Sequence, residues 1–302
     1  YTLTKISLIG AGSVVFARRL LQDIVCVPEL SDSTVSLMDT DSERLGLMSK
    51  FANKLVRDTG TNINVETTTE RREALHDSDY VLTTIRVGDS YERDIGIPLK
   101  YGVDQSVGDT IGPGGVFKAL RTAPVLIDIC EDIADVAPDA NLLNYTNPMA
   151  IACWAIAEAT DVPTIGLCHS VQHTTAELAN YVGVSKERVK GWVAGINHLA
   201  WFLRFEVDGQ DAYPKLIEAM QNPEIFSQDT VRFEVMKQFG YFVTESTRHM
   251  SEYTPYFRTN EQTIEDFNLD QIRQDLQRRT VRVDDHYGQL LEDANTDRRL
   301  TA

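Results

Sequence analysis

Cysteine and long hydrophobic runs are both scarce in this sequence, and each shortage excludes a class of protein. The 302 residues include four cysteines, whose spacing gives neither a close pair nor a disulfide framework: Cys26, Cys130, Cys153 and Cys168. A reducing, cytoplasmic setting is therefore expected. The apolar runs are much shorter than a bilayer span, and no basic leader precedes an apolar stretch at the N-terminus. We accordingly expect no insertion into a membrane.

Positive charge is the next deficit. The chain carries 29 basic and 45 acidic side chains, a formal net charge of −16, and arginine outnumbers lysine 20 to 9. Phosphate contacts require clustered positive charge, so we expect no nucleic-acid partner. An acidic, lysine-poor surface suits a salt-adapted organism, but an ordinary acidic protein can share this composition, and composition alone does not separate the two.

The N-terminal segment KISLIGAGSVVF, residues 5–16, has the pattern of an apolar strand, a glycine turn and the start of a helix. Gly10 permits the tight turn, Gly12 lets the backbone approach a pyrophosphate, and Ser13 is grouped with them as a cofactor-binding residue. Asp39 ends the second strand, where a carboxylate accepts hydrogen bonds from the ribose of NAD and repels the extra phosphate of NADP. Because a valine replaces the third glycine of the dinucleotide motif, an ordinary strand–helix turn stays open as the alternative.

Two later segments continue the alternation of strands and helices. DSDYVLTTIRVG predicts a buried strand followed by Arg86, and NLLNYTNPMA predicts another strand that leads into Asn147. Such alternation indicates an α/β protein with a Rossmann-like, doubly wound parallel sheet, in which ligands bind beyond the carboxyl ends of the strands. We therefore expect Arg86 to contact the cofactor and Asn147 the substrate. Residues 1–190 are predicted to form the NAD-binding domain, and residues 191–302 a mixed α/β domain for substrate, metal and oligomerisation.

The segment GDTIGPGGVFKALRTAPV, residues 108–125, combines a glycine-rich loop with a helical pattern. Four glycines and one proline fall within its first eight residues. A flexible connection is one interpretation of such a loop. The interpretation that we favour is that the glycines allow a ligand to approach the backbone closely.

The segment GLCHSVQH, residues 166–173, places Cys168 directly beside His169 at the end of a predicted strand. Adjacent side chains diverge, so one can hold a metal while the other faces a substrate. A single buried cysteine or histidine is usually a packing residue. Together, Cys168 and the later His198 offer a thiolate and an imidazole, which suit a divalent transition metal. Because two such ligands are too few for a closed structural zinc site, we expect an open catalytic one.

In six motifs and in the order of those motifs along the chain, the sequence resembles the NAD- and manganese-dependent glycosidases of glycoside hydrolase family 4. The motifs are LIGAGS, DTIGPGG, NYTNPMA, GLCHSVQ, AGINH, and GYFVTES followed by SEYTPYF. The resemblance runs from Lys5 to about Phe257 and is closest to the α-galactosidase (melibiase) branch. It implies hydrolysis of α-galactosides by NAD-dependent oxidation at sugar C3, deprotonation at C2 and elimination. This family is an exception to the usual two-carboxylate glycosidases.

The resemblance also implies roles for individual residues. Cys168 and His198 would hold Mn²⁺ near the sugar oxygens, and Asn147 would bind the sugar hydroxyls. His169 would protonate the leaving oxygen, a place where the phospho-sugar branch commonly has an aspartate. Tyr253 would be the base that removes the C2 proton. Since the ordinary pKa of tyrosine is about 10, a nearby Mn²⁺ or another cation must lower it.

Other functions stay open at this point. Within the family, an α-galacturonidase or an α-glucosidase is the alternative, because the motifs do not fix recognition at C4 and C6 of the sugar. A lactate- or malate-type dehydrogenase has a similar nucleotide fold, but it would be expected to lack the pair Cys168 and His198. A non-catalytic NAD sensor would require neither that pair nor Tyr253. Family members commonly form homodimers or homotetramers, which is the expectation for this chain.

Overall fold

The computed structural model of the protein describes residues 3–88, 92–269, 272–296 and 298–300. The strands, in chain order, are β1 (Lys5–Ile9), β2 (Thr34–Met38), β3 (Asn64–Thr68), β4 (Tyr80–Thr83), β5 (Asn141–Asn144), β6 (Thr164–Gly166), β7 (Val189–Ile196), β8 (Leu199–Val207) and β9 (Gln210–Asp211). The α-helices are α1 (Phe16–Val25), α2 (Ser42–Thr59), α3 (Arg71–Leu75), α4 (Ile97–Lys100), α5 (Gly112–Val136), α6 (Met149–Ala159), α7 (Ser170–Tyr181), α8 (Tyr213–Ala219), α9 (Pro223–Phe226), α10 (Thr230–Phe239), α11 (Thr247–Tyr253), α12 (Glu261–Asp266) and α13 (Ile272–Asn295).

The chain forms two compact units. The first comprises Tyr1–Asp89, Lys118–Leu167 and Gln277–Ala302, and the second comprises Ser90–Phe117 and Cys168–Leu276. The unit boundary thus falls inside α5, while the predicted division of the chain at residue 190 stays a prediction. Each helix of the described residues is too short or too polar to cross a bilayer.

The first unit contains a six-stranded parallel sheet with the strand order β3-β2-β1-β4-β5-β6. This is the Rossmann-like, doubly wound arrangement that the sequence predicts. The strand order reverses between β1 and β4, and in such sheets this switch point opens a crevice at the carboxyl ends of the strands. The topology therefore locates a ligand crevice beyond Ile9 and Thr83.

Strand β1 is buried on both faces, as a central strand of a parallel sheet should be. Ile6 and Leu8 belong to one apolar cluster with Leu21 of α1. Ile9 belongs to another cluster with Leu126 of α5. The short apolar run KISLI thus supplies side chains to both layers of helices, and each fully buried aliphatic side chain contributes roughly 1.5–3 kcal/mol.

The second unit contains the antiparallel sheet β7-β8-β9, which confirms the predicted mixed α/β C-terminal region. Its apolar core is aromatic, with Phe202 and Phe205 of β8 buried among the helices. Phe233 of α10 meets Phe242 edge to face, with 5.4 Å between the ring centroids. Strands β7 and β8 are joined by the two residues Asn197 and His198, so the hairpin places His198 at the end of the sheet.

Candidate active site

The glycine turn after β1 is held by two neighbouring strands. Gly10 has a φ of +92°, and a Cβ added there would lie 2.9 Å from the backbone carbonyl of Thr84, so a side chain is excluded. The Thr84 hydroxyl donates to the Gly10 carbonyl at 2.8 Å. The N–H of Gly12 donates to Asp39 Oδ2 at 2.7 Å, and Ser13 Oγ accepts the N–H of Phe16 at 3.3 Å. The turn is a preformed loop with a carboxylate at its side.

Arg86 and Asn147 follow adjacent strands at the same edge of the sheet. Thr83 and Asn144 are register partners at the ends of β4 and β5, and the Thr83 hydroxyl donates to the Asn144 side chain at 2.8 Å. The N–H of Ile85 donates to the hydroxyl of Thr146 at 3.1 Å, which links the two segments beyond the strands. The sheet therefore gathers the turn, Asp39, Arg86 and Asn147 at the carboxyl ends of its strands.

A separate cluster in the second unit contains the predicted metal ligands. Cys168 Sγ lies 3.3 Å from His198 Nε2, and Glu245 Oε2 lies 4.0 Å from the same nitrogen. One ligand atom from each of these three residues lies within 4.8 Å of the other two. Asp109 and His249 form a second such set with His198. The structure thus brings Cys168 and His198 together and adds Glu245, Asp109 and His249, which the sequence interpretation missed.

Two of these residues have left-handed backbone conformations. His198 has a φ of +65° and Glu245 a φ of +76°, and a residue other than glycine keeps such a conformation only where its surroundings fix it. The guanidinium of Arg232 donates to the Glu245 carbonyl at 2.5 Å. The N–H of Thr244 donates to the carbonyl of Ala200 at 2.8 Å, which ties the Glu245 segment to the start of β8. These bonds hold both strained residues beside one another.

The electrostatics of the cluster favour a charged cysteine–histidine pair. Burial acts to raise the pKa of the Cys168 thiol, but the hydrogen bond and charge of His198 outweigh it and lower that pKa. Burial acts to lower the pKa of His198, but Cys168 and Asp109 outweigh it and raise that pKa. Cys168 also lies two residues before the first residue of α7, near a helix N-terminus, where an anion is favoured. A thiolate, the form that binds metals, is therefore stabilised.

The glycine-rich loop folds onto its own backbone. A Cβ added at Gly115 would lie 2.5 Å from the backbone carbon of Thr110, so glycine is required there for close packing of the chain on itself. Glu252 of α11 accepts the N–H groups of Val107 at 2.6 Å and of Gly108 at 3.0 Å. At Gly115 the close approach is made by protein backbone, and the loop delivers Asp109 and Thr110 to the cluster.

Tyr253, the predicted base, is the last residue of α11. Its hydroxyl is buried beside the side chain of Thr110, which acts to lower the pKa of Tyr253, and its ring lies 5.8 Å from that of His249 between centroids. Burial raises the pKa of Tyr253 well above its usual value, and the charges of Asp109 and Glu252 raise it further. The side chains around Tyr253 therefore keep it protonated, in contrast to the lowered pKa that a base needs.

His169, the predicted acid, is the residue immediately before α7. Its ring is half-buried and stacks on His173, with 5.7 Å between the centroids. It follows Cys168 directly, so the strand–helix connection that delivers the thiol delivers this imidazole as well. Its role as an acid stays a prediction.

The donor set of the second unit suits a divalent transition metal. A thiolate, an imidazole and a carboxylate are all ligands of such ions. Burial raises the pKa of Glu245 and Asp109 adds to the effect, while the charge of His198 acts to lower that pKa. A cation held between Cys168, His198 and Glu245 would favour the ionised form of both the thiol and the carboxyl group. The residues present therefore fit a metal ion.

Sequence comparison defines the family. Residues 5–184 match the family 4 glycosyl hydrolases, and residues 193–299 match the C-terminal domain of the same family. The chain therefore belongs to family 4 of the glycosyl hydrolases, which confirms the resemblance carried by its six motifs.

Curated relatives give the likeness in more detail. The chain is 42% identical over 259 residues to an α-galactosidase of Rhizobium meliloti, covering 84% of this chain and 53% of the relative. It is 41% identical over 259 residues to an α-galactosidase of Bacillus subtilis, covering 84% and 60%. Relatives named α-glucosidase and α-galacturonidase match at 35% and 31% identity. The chain spans a little over half the length of the two α-galactosidases.

Solved structures show the same fold. A 6-phospho-α-glucosidase from gut microorganisms, in complex with NAD and Mn²⁺, superimposes with a TM-score of 0.78 at 21% identity. The match covers 97% of this chain and 69% of that protein. At this identity the likeness concerns the fold alone.

Proposed function

We propose that the protein hydrolyses α-galactosides with the aid of NAD and Mn²⁺. The observation that carries the proposal is the cluster of Cys168, His198 and Glu245 in a chain of family 4. The identity to two α-galactosidases supports galactose as the sugar. An α-glucosidase or an α-galacturonidase is the second candidate, because relatives of both names match the chain at lower identity. Family membership disfavours a lactate- or malate-type dehydrogenase.

Cys168 and His198 would hold the metal, with Glu245 as a third protein ligand. A divalent ion bound there would supply Lewis acidity towards the oxygens of the sugar. The two left-handed residues fix the approach of the imidazole and the carboxylate, so the chain itself orients these ligands. An open coordination sphere with three protein ligands is the arrangement of catalytic sites.

The turn after β1 would hold the cofactor. Gly10, Gly12 and Ser13 form a loop that fits a pyrophosphate, and Asp39 stands beside it for the ribose hydroxyls. Arg86 lies at the same sheet edge. Bound NAD would supply reversible hydride acceptance at sugar C3. The fit rests on the positive φ of Gly10 and on the Asp39 carboxylate at 2.7 Å from the Gly12 nitrogen.

The remaining roles belong to side chains that move protons or bind the sugar. Tyr253 would remove the proton from C2, His169 would protonate the leaving oxygen, and Asn147 would bind sugar hydroxyls. Because burial and neighbouring carboxylates raise the pKa of Tyr253, the phenol can act as a base only when added positive charge offsets them. A homodimer or homotetramer in the cytoplasm is proposed on the basis of the family likeness.

One assay tests the proposal. The full-length protein is given p-nitrophenyl α-galactoside, α-glucoside and α-galacturonide with NAD⁺, Mn²⁺ and a thiol reductant, each component being omitted in turn. We expect hydrolysis of the α-galactoside that requires NAD⁺ in catalytic amounts and leaves no net NADH. Undiminished hydrolysis by protein stripped of cofactor and metal would overturn the proposal, and preference for another sugar would select the second candidate.

A further inference from the structure

Beyond the ligands themselves, a buried hydroxyl connects His198 to a carboxylate. His198 Nε2 faces Cys168 and Glu245, while its other nitrogen, Nδ1, lies 2.7 Å from Thr110 Oγ1. The Thr110 hydroxyl in turn lies 2.9 Å from Asp109 Oδ1. Thr110 is 2% exposed and His198 5% exposed, so water does not compete for these bonds.

The direction of these hydrogen bonds follows from the number of protons. A threonine hydroxyl has one proton to donate, and a carboxylate is a stronger acceptor than a neutral imidazole nitrogen. If the Thr110 proton goes to Asp109, the hydroxyl oxygen must accept a proton from His198 Nδ1. Once Nε2 has lost the proton that it carries in the charged pair with Cys168, its lone pair can face the metal site while Nδ1 keeps its proton. If Thr110 donated to Nδ1 instead, the neutral imidazole would carry its proton on Nε2 and could not bind a metal there.

We propose that Thr110 is a positioning residue that, through Asp109, holds His198 in the tautomer protonated on Nδ1 and so presents Nε2 to a divalent cation. The proposal rests on the proposed function, because it assigns the metal to Cys168 and His198. Metal-bound histidines usually donate their second N–H to a fixed acceptor, and removal of such an acceptor weakens metal binding by about 10- to 100-fold. Here the acceptor would be a hydroxyl that is itself oriented by a carboxylate.

The position of the hydroxyl is built into the glycine-rich loop. Glu252 fixes the backbone two to three residues before Thr110 by accepting from Val107 and Gly108. Gly115 allows the first turn of α5 to pack against the Thr110 backbone. The hydroxyl therefore meets His198 at a defined place, as a positioning residue requires.

Matched substitutions test the proposal in the full-length protein. Thr110→Val keeps the shape of the side chain and removes the hydroxyl, whereas Thr110→Ser keeps the hydroxyl and removes the methyl group. Mn²⁺ affinity is measured from the electron paramagnetic resonance signal of the free ion, and NAD⁺ affinity serves as a control. We expect Mn²⁺ to bind about 10- to 100-fold more weakly to the valine variant, with serine close to the wild type and NAD⁺ affinity unchanged in both.

The possible results distinguish failure of the proposed role of Thr110 from failure of the proposed metal site. Equal Mn²⁺ affinity of the valine variant and the wild type, or equal weakening by valine and serine, would overturn the role of the hydroxyl while leaving the metal site in place. Absence of Mn²⁺ binding by the wild type would overturn the metal assignment and this inference together. If the valine variant does not fold, Thr110→Ala is compared with Thr110→Ser, because both lack the methyl group and differ only in the hydroxyl. Equal affinities of that pair would also refute the proposal.

Discussion

Glu252 is half-buried and accepts two backbone hydrogen bonds, and its titration should be visible in the stability of the protein. Burial raises the pKa of Glu252 from its ordinary value of 4.5 to about 7, against the opposing effect of the N–H groups of Val107 and Gly108. The folded protein therefore binds this proton more tightly than the unfolded chain does. By linkage, the stability associated with Glu252 is fully present below about pH 4.5 and is lost as the pH rises to about 7.

The magnitude follows from the size of the pKa change. One pKa unit corresponds to about 1.4 kcal/mol, so a rise from 4.5 to about 7 costs roughly 3 kcal/mol once the carboxylate is fully ionised. Glu252→Gln removes the titrating group and keeps the side-chain shape. Between pH 5 and pH 8 the stability of the wild type should therefore fall by roughly 2–3 kcal/mol relative to that of the glutamine variant.

Denaturant unfolding of the metal-free protein, in the presence of a chelator, measures this difference at both pH values. Glu265→Gln, on the exposed side of α12, gives the baseline for removal of one carboxylate. Replacing a carboxylate that accepts two N–H groups also has a cost in stability that does not depend on pH. This cost cancels, because the test compares how the stability of each protein changes between the two pH values. A difference between wild type and Glu252→Gln that stays the same at pH 5 and pH 8 would refute the raised pKa. A change of the opposite sign would mean that the backbone hydrogen bonds outweigh burial.

Three further changes test the two proposed sites. Cys168→Ser should weaken Mn²⁺ binding at least about tenfold, whereas Cys153→Ser, outside the cluster, should not. If metal titration gives the Cys168→Ser variant the same Mn²⁺ affinity as the wild type, Cys168 is a packing residue and not a metal ligand. Gly10→Ala should lower NAD⁺ affinity about tenfold or more and reduce the free energy of unfolding by roughly 1–3 kcal/mol, because the added Cβ would clash with Thr84 and alanine is strained at positive φ. Gly60→Ala is the control, since Gly60 also has a positive φ but faces open space, and it should leave NAD⁺ affinity intact. Tyr253→Phe should slow turnover by about 10²–10⁴-fold and suppress incorporation of deuterium at sugar C2 in D₂O, and unimpaired incorporation by NMR would assign the base elsewhere.

The Rossmann-like parallel sheet could be predicted because it is encoded in short, local sequence patterns. Short apolar runs such as KISLI alternate with helical patterns, and a parallel sheet with helices on both faces is the arrangement that buries them. The glycine turn and Asp39 follow from the same pattern, since each lies at the end of a strand. The structure adds that the N–H of Gly12 donates to Asp39, while the cofactor-binding roles of both residues stay predictions.

The cluster around His198 could be predicted only in part, because it depends on contacts between distant segments. Cys168 and His198 were found from residue type and motif. Asp109 and Glu245 also lie inside motifs that were noticed, but their place depends on the left-handed backbone of Glu245 and on the fold of the glycine-rich loop. The glycines of that loop were expected to face a ligand, and Gly115 instead contacts Thr110. Nothing in a local pattern distinguishes a glycine that meets a ligand from one that meets its own chain.

The charges of the second unit tie the proposed base to the proposed metal. Burial raises the pKa of Tyr253, and the charges of Asp109, Glu252 and Glu245 add to the effect. The Cys168 and His198 pair does not offset them, because a thiolate and an imidazolium together carry no net charge. A tyrosine surrounded in this way stays protonated at neutral pH and cannot take a proton from carbon. A divalent cation at Cys168 and His198 would offset part of this negative charge and so lower the pKa of the phenol. The same carboxylates that raise the pKa of Tyr253 would also attract that cation.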